Sequence, residues 1–128
     1  MREMEKIIET FELEFNSISD KFEIIEENVR NLPNSKKEFI HNPGVYVFFN
    51  NNGIIKVGRH LKNSRKRAYE HIIANTKNNS IEMKNLPDFP DSKVLLLNVK
   101  NKNDIHWVAA VEIFLEIQLK PLIRTKRL

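Results

Sequence analysis

Side chains that can carry acid–base and phosphate chemistry are concentrated in one stretch of the sequence, between Gly44 and His71. The stretch holds tyrosine, lysine, two histidines and a run of arginines and lysines. Hydrolysis of a phosphodiester bond needs a base near the attacking water, cations near the phosphate, and an acid that can hold a metal. The stretch supplies the base and the cations, and the candidate acids lie elsewhere in the chain.

Tyr46 is the candidate base. It alternates with Val45 and Val47, so on a strand its side chain faces away from theirs. Lys56 falls on the strand expected to pair with it, and a neighbouring cation favours the phenolate form of a tyrosine. Tyr46 can then take a proton from the attacking water. A single tyrosine on a strand is more often a half-buried packing residue, and the sequence leaves that alternative open.

Arg67 and His71 are the candidate phosphate ligands. They are four residues apart in a segment predicted to be helical, so they share one face. An arginine can clamp a phosphate with two hydrogen bonds and stabilise the charge that grows on it. His71 can orient the water or hydrogen-bond a phosphate oxygen. A pair of this kind is also typical of a solvated helix surface.

Glu112 and Glu116 are the candidate metal ligands, one helical turn apart among apolar residues. Magnesium takes one or two carboxylates together with waters and phosphate oxygens, so a single inward glutamate is enough. The residues alone do not choose between the two. The sequence has no glycine-rich phosphate loop, no cluster at zinc spacing and no serine nucleophile motif. His41 and His106 are predicted to be structural.

The elements that position these residues are predicted from turn, cap and periodicity signals. The sequence Asn50–Gly53 favours a tight turn, so the strands on either side of it form a hairpin. Pro121 ends the last helix. The body is therefore predicted to be α+β, a small three-stranded sheet, antiparallel or mixed, flanked by helices. The predicted elements are strands 44–49, 54–58 and 93–99, a helix from Asn63 or Ser64 to Ala74, and a helix from Asn103 or Asp104 to Leu119.

The N-terminal segment, residues 1–33, is predicted to be an amphipathic helical extension. Its apolar residues recur at helical spacings of three and four from Ile7 to Val29, and Leu32–Ser35 ends the pattern. Such a helix buries its apolar face against the core or in a homodimer interface. An alternative is that its acidic face screens the basic groove of the body.

The charge of the chain is divided unevenly. Residues 1–30 carry four basic and nine acidic side chains, whereas residues 31–128 carry seventeen basic and eight acidic ones. A basic body with clustered charges favours a polyanionic partner, here nucleic acid, over an incidental basic surface. The candidate nucleic-acid-binding residues are Arg59, His60, Lys62, Arg65, Lys66, Arg124, Lys126 and Arg127.

Composition excludes some kinds of site and some classes of protein. The chain has no cysteine, which excludes disulfides and thiolate metal sites. The charged N-terminus lacks the apolar region of a secretory signal, and no apolar run approaches the length of a transmembrane helix. A cytoplasmic protein with no membrane partner is expected.

The ordered set of motifs resembles the GIY-YIG family of endonucleases over about residues 43–125. Gly44–Tyr46 is similar to the first signature of the family, and Lys56–Gly58 to the second, with lysine in place of tyrosine. Arg67 corresponds to the arginine of the family's helix, and His71 follows four residues later, where many members carry histidine.

The resemblance also bears on the choice of glutamate. In the family, a glutamate on a later helix binds the divalent metal nine residues before a proline. Glu112 lies nine residues before Pro121 and Glu116 lies five before it, so the resemblance favours Glu112. Many members carry asparagine three residues after that proline, where this sequence has Arg124.

The resemblance implies that residues 34–128 form a GIY-YIG nuclease-like domain and that the chain is an endonuclease acting on nucleic acid, expected to be DNA. It implies that Glu112 holds Mg²⁺ or Mn²⁺, that Tyr46 with Lys56 handles the water, and that Arg67 with His71 stabilises the phosphate. Two other functions stay open: a nucleic-acid-binding module of the same fold that has lost hydrolysis, and a structural protein that oligomerises through its N-terminal helix.

Overall fold

The computed structural model describes residues 2–125. Three helices and four strands make up the regular structure of this range, joined by short 3₁₀ segments and loops. In chain order the elements are α1 (Arg2–Phe15), β1 (Phe22–Asn28), β2 (Gly44–Asn50), β3 (Gly53–His60), α2 (Ser64–Ile73), β4 (Lys93–Val99) and α3 (Ile105–Leu119).

The strands form one antiparallel sheet in the order β1-β4-β2-β3. The predicted α+β class is confirmed, and so are the hairpin of β2 and β3, the strand β4 and the helices α2 and α3. The Asn63 side chain caps α2 by accepting a hydrogen bond from the backbone N–H of Lys66, as its sequence position predicts. The predicted number of strands is wrong, because the sheet has four strands and not three.

The fourth strand comes from the segment predicted to be helical. The helix ends at Phe15, and β1 pairs with β4 from Phe22, opposite Val99, to Asn28, opposite Lys93. A spacing of three residues is typical of a helix, but on a strand it puts two residues on opposite faces. Here both faces are covered: Phe22 packs against Phe11 with ring centroids 5.4 Å apart, and Ile25 belongs to the core on the other side.

The sheet is covered by helical structure on both faces. One face, with Val45, Val47 and Leu95, packs against α1 and α3. The other face, with Tyr46 and Phe48, packs against α2 and the 3₁₀ segments Val29–Asn34 and Met83–Asp88. The central strands β2 and β4 are therefore buried on both sides, which explains the continuous apolar run Val94–Leu97 in β4.

A β-bulge in β3 changes which face its later residues occupy. Phe49 pairs with Ile54, whereas Phe48 pairs with Lys56, so Ile55 is an extra residue in β3. In a regular strand without the bulge, alternation through Ile55 would place Lys56 on the same face as Ile54, against α1 and α3. The bulge brings Lys56 to the other face, next to Tyr46.

A buried polar cluster fixes the start of α2 on the sheet. Asn98 of β4 accepts a hydrogen bond from the Ser64 hydroxyl at 2.5 Å and donates to the Phe39 carbonyl at 2.8 Å. Gly44 is packed against the same amide, since a methyl group there would lie 2.0 Å from the Asn98 Oδ1 atom. The glycine of the first signature thus lets β2 approach this cluster, and α2 is anchored at its first turn.

We predict that α1 contributes to the stability of the whole domain. Phe11 is fully buried, whereas Leu13 on the opposite side of the helix is 84% exposed. Phe11→Ala should lower the free energy of unfolding by about 3–5 kcal/mol, because it removes a buried ring and leaves a cavity. Leu13→Ala is the matched control and should change it little. Urea unfolding measures both, and equal values for the two variants would contradict the packing of α1 described above.

Candidate active site

A cavity of about 290 Å³ opens at the edge of the sheet formed by β3, between α2 and α3. We call it the edge cavity. The five candidate catalytic residues all line it, so β2, β3, α2 and α3 each present their predicted residues to one space. Its lining residues are Tyr46, Lys56, Gly58, Arg59, Arg67, His71, Glu112 and Thr125.

The side chain of Tyr46, a residue of β2, passes over Gly58 of the neighbouring strand β3 and contacts His71. Its hydroxyl is 2.7 Å from the His71 Nε2 atom. A methyl group on Gly58, directly opposite on β3, would lie 2.3 Å from the Tyr46 hydroxyl oxygen and 2.4 Å from the nearest ring carbon. The glycine of the second signature is therefore required by the tyrosine of the first, since any side chain there would displace the ring.

His71 is a neutral hydrogen-bonding group. Burial of the ring, together with the positive charges of Arg67 and Lys56, lowers the pKa of His71 from 6.5 to about 4. Its two ring nitrogens contact two hydroxyls, Tyr46 at Nε2 and Thr76 at Nδ1. Because one nitrogen of a neutral imidazole donates and the other accepts, His71 links these two hydroxyls and fixes the orientation of Tyr46.

Lys56 is buried, and its ammonium group is held by residues 120–125, which follow α3 and are called the C-terminal segment below. Its Nζ atom donates to the Thr125 hydroxyl at 2.9 Å, and that hydroxyl donates in turn to the Val57 carbonyl at 3.0 Å. The segment reaches this point by pairing with the β3 edge, where the backbone N–H groups of Leu122 and Ile123 donate to β3 carbonyls. Thr125 is a residue that the sequence reasoning missed.

Glu112 is the glutamate that faces the edge cavity. Its side chain is fully buried, and its Oε1 atom accepts a hydrogen bond from the Arg59 guanidinium at 2.7 Å. Glu116 lies one turn later and outside the lining, where its Oε2 atom pairs with Arg124 at 2.7 Å. A buried carboxylate is very costly without a cation, so each of the two glutamates has its own arginine.

Arg67 is held more loosely than Arg59. Its NH1 atom is 3.3 Å from a carboxylate oxygen of Glu70, and both side chains are more than two-fifths exposed. Exposed ion pairs of this type contribute at most about 1 kcal/mol. The guanidinium can therefore leave Glu70 at little cost and turn toward an anion in the edge cavity.

The residues predicted to contact nucleic acid fall into two groups. Lys62 and Lys66 are exposed near the start of α2. Lys62 lines an open depression with Arg59, His60 and Leu61, and Arg59 also lines the edge cavity, so the two spaces adjoin. The depression extends the positive charge outward from the edge cavity.

The other predicted contact residues have structural partners. Arg65 donates to the Pro33 carbonyl at 3.3 Å, and the His60 Nδ1 atom accepts hydrogen bonds from backbone N–H groups of the loop before α2. Arg124 pairs with Glu116, as described above. Lys126 and Arg127 lie outside the described residues.

A divalent metal at this site would depend on one carboxylate. Within residues 2–125 there is no group of three or more histidine, aspartate or glutamate side chains that could hold a metal. Glu112 nevertheless offers a hard oxygen donor at the wall of the edge cavity. This donor set fits Mg²⁺ or Mn²⁺ bound mainly by waters and substrate oxygens, and does not fit a metal enclosed by protein ligands.

Comparisons of the chain with protein-family models, with curated proteins and with solved structures find no match. Among the helices of residues 2–125, none has both the length and the apolar character needed to cross a membrane. The resemblance to the GIY-YIG family therefore rests on the sequence motifs alone.

The low pKa of His71 predicts a pH dependence of stability. In the folded protein His71 takes up a proton only near pH 4, whereas in the unfolded chain it does so near 6.5. Stability should therefore be lost as pH falls through this window, with a slope of at most about 1.4 kcal/mol per pH unit from this group.

His71→Gln should remove this part of the slope. The matched control is His106→Gln, which changes an exposed histidine on α3. Urea titrations across the same pH range measure the slopes for the wild type and both variants. Identical slopes for the wild type and His71→Gln would show that His71 is not held neutral by the fold.

Proposed function

We propose that this protein is a metal-dependent endonuclease that hydrolyses phosphodiester bonds in nucleic acid, with DNA as the expected substrate. The observation that carries the proposal is the edge cavity, where Tyr46, Lys56, Arg67, His71 and Glu112 come together from four elements. Because the proposed substrate is nucleic acid, we also propose that the protein is located in the cytoplasm.

Tyr46 is the group that accepts the proton of the attacking water. The ammonium of Lys56 lines the same cavity and favours the phenolate form, which is the form that can accept a proton. His71 is neutral and contacts the Tyr46 hydroxyl at 2.7 Å, so it holds the phenol oxygen in place. A positioned base contributes about 10²–10⁴-fold to a hydrolysis rate.

Arg67 stabilises the charge on the phosphate. Its loose pairing with Glu70 leaves it able to make two parallel hydrogen bonds to phosphate oxygens. Lys62, exposed in the adjoining depression, and Lys66, exposed in the first turn of α2, bind phosphates of the nucleic-acid backbone. These contacts are independent of base sequence.

Glu112 would hold the metal, Mg²⁺ or Mn²⁺. When bound, such an ion neutralises charge on the phosphate and on the departing oxygen. The fold contributes a carboxylate on a rigid helix, buried at one end of a cavity that also holds the base and the cations. This is the arrangement that electrostatic stabilisation of a phosphodiester transition state requires.

A second candidate function is a nucleic-acid-binding module that does not hydrolyse. The observation that favours it is the ion pair between Arg59 and Glu112, because Arg59 takes one of the two carboxylate oxygens that a metal would use. The third function, oligomerisation through the N-terminal helix, loses its main argument. The apolar residues Ile7, Phe11 and Phe15 of α1 are buried against the chain's own core.

Plasmid nicking in the presence of Mg²⁺ or Mn²⁺ tests the proposal. We expect the wild type to nick supercoiled DNA and EDTA to stop it. Glu112→Gln should lower the rate by roughly a hundredfold or more, because it removes the charge that holds the metal. Glu116→Gln is the matched control, with a buried glutamate on the same helix also paired to an arginine, and should change the rate little.

The same assay separates the two candidate functions. If the wild type binds DNA but does not nick it with either metal, the protein is the binding module. If Glu112→Gln nicks as fast as the wild type, the edge cavity is not the catalytic centre, whatever the origin of the activity.

We also expect DNA binding to weaken steeply with salt, because cations that contact phosphates release counterions. In a plot of the logarithm of affinity against the logarithm of salt concentration, Lys62→Glu should reduce the magnitude of the slope by about one. Lys102→Glu, at an exposed position before α3, is the control and should leave the slope unchanged. Affinity that stays constant between roughly 50 and 200 mM salt would exclude a phosphate-contacting surface.

A further inference from the structure

The ion pair between Arg59 and Glu112 lies in the wall of the edge cavity. The two atoms NH1 and Oε1 are 2.7 Å apart, and the two side chains differ in burial: that of Glu112 is fully buried, whereas that of Arg59 is 33% exposed. The arginine thus reaches inward from the protein surface to a carboxylate that solvent does not touch. The carboxylate belongs to the rigid helix α3, and the arginine lies near the end of an edge strand.

This asymmetry determines which partner can be exchanged. A fully buried carboxylate requires a cation, since removing its partner leaves an uncompensated charge in the interior and is strongly destabilising. A guanidinium with a third of its surface in water can leave at much lower cost. A divalent cation that binds Glu112 supplies the charge that Arg59 supplies otherwise, and two cations on one carboxylate repel each other.

A second binding partner for Arg59 is available on the outer side of the same cavity. Arg59 lines both the edge cavity and the adjoining depression that contains His60, Leu61 and exposed Lys62. A phosphate in this depression would attract the guanidinium through charge and through paired hydrogen bonds. Movement of Arg59 toward such a phosphate takes it away from Glu112.

We infer that Arg59 is a built-in counter-ion that competes with the divalent metal at Glu112 and is drawn away by the phosphates of the nucleic acid. Metal and nucleic acid therefore bind cooperatively: each weakens the Arg59–Glu112 pair and so favours the other, by the same factor in both directions. Without nucleic acid the site is closed by its own arginine. This inference rests on the proposed function, because it takes Glu112 as the metal ligand.

Binding of Mn²⁺, followed by the electron paramagnetic resonance signal of the free ion, tests this without any measurement of cleavage. Arg59→Gln should bind Mn²⁺ roughly tenfold more tightly than the wild type in the absence of DNA, because the competing charge is gone. A short phosphorothioate DNA duplex should tighten Mn²⁺ binding to the wild type roughly tenfold and to Arg59→Gln much less. Lys93→Gln, which removes the ion pair with Glu26 outside the edge cavity, should behave as the wild type.

The outcomes distinguish this inference from the proposed function. If the wild type and Glu112→Gln bind Mn²⁺ equally, Glu112 is not a metal ligand and the proposed function fails. If the wild type binds Mn²⁺ through Glu112 but Arg59→Gln binds it no more tightly, the competition is refuted. Should Arg59→Gln not fold, the wild type alone decides: Mn²⁺ affinity that is unchanged by the duplex overturns the coupling.

Discussion

Helical layers cover both faces of the sheet, and this constraint decides where polar chemistry can lie. The inner strands β2 and β4 present apolar side chains on both sides, and a charge placed between them and a helix would be expensive. The edge strand β3 is the place where side chains of α2, α3 and the C-terminal segment border an open cavity. Tyr46 reaches that edge from the neighbouring strand because Gly58 leaves room for its ring.

The charges at this edge are arranged as compensating pairs of unequal strength. Glu112 is buried and paired with Arg59, whereas Arg67 is exposed and weakly paired with Glu70. Burial of the ring, together with the positive groups around it, keeps the His71 imidazole neutral, so it orients Tyr46 without adding to the charge. An anion can therefore recruit Arg67 without uncovering a buried charge, whereas recruiting Arg59 uncovers Glu112 unless another cation takes its place.

The sequence predicted the hairpin, α2, β4 and α3 because each has a local signal: a turn, a cap, an apolar run or a proline. It also predicted five candidate residues that line one cavity, four of them through their spacing on those elements and Glu112 through the resemblance to the family. It failed at β1, where Phe22 and Ile25 repeat at three residues because both faces of an edge strand are buried. The Arg59–Glu112 pair and the role of Thr125 depend on contacts between residues 53 and 69 positions apart, for which the sequence holds no local signal.

The most direct test is an anomalous-diffraction map of the protein crystallised with Mn²⁺ and a phosphorothioate DNA duplex. The central claim is that the edge cavity is the catalytic centre. It predicts an anomalous peak beside the Glu112 carboxylate, with a backbone phosphate within hydrogen-bonding distance of Arg67 and with Arg59 turned away from Glu112. Duplex bound on another surface, with no manganese at Glu112, would contradict it.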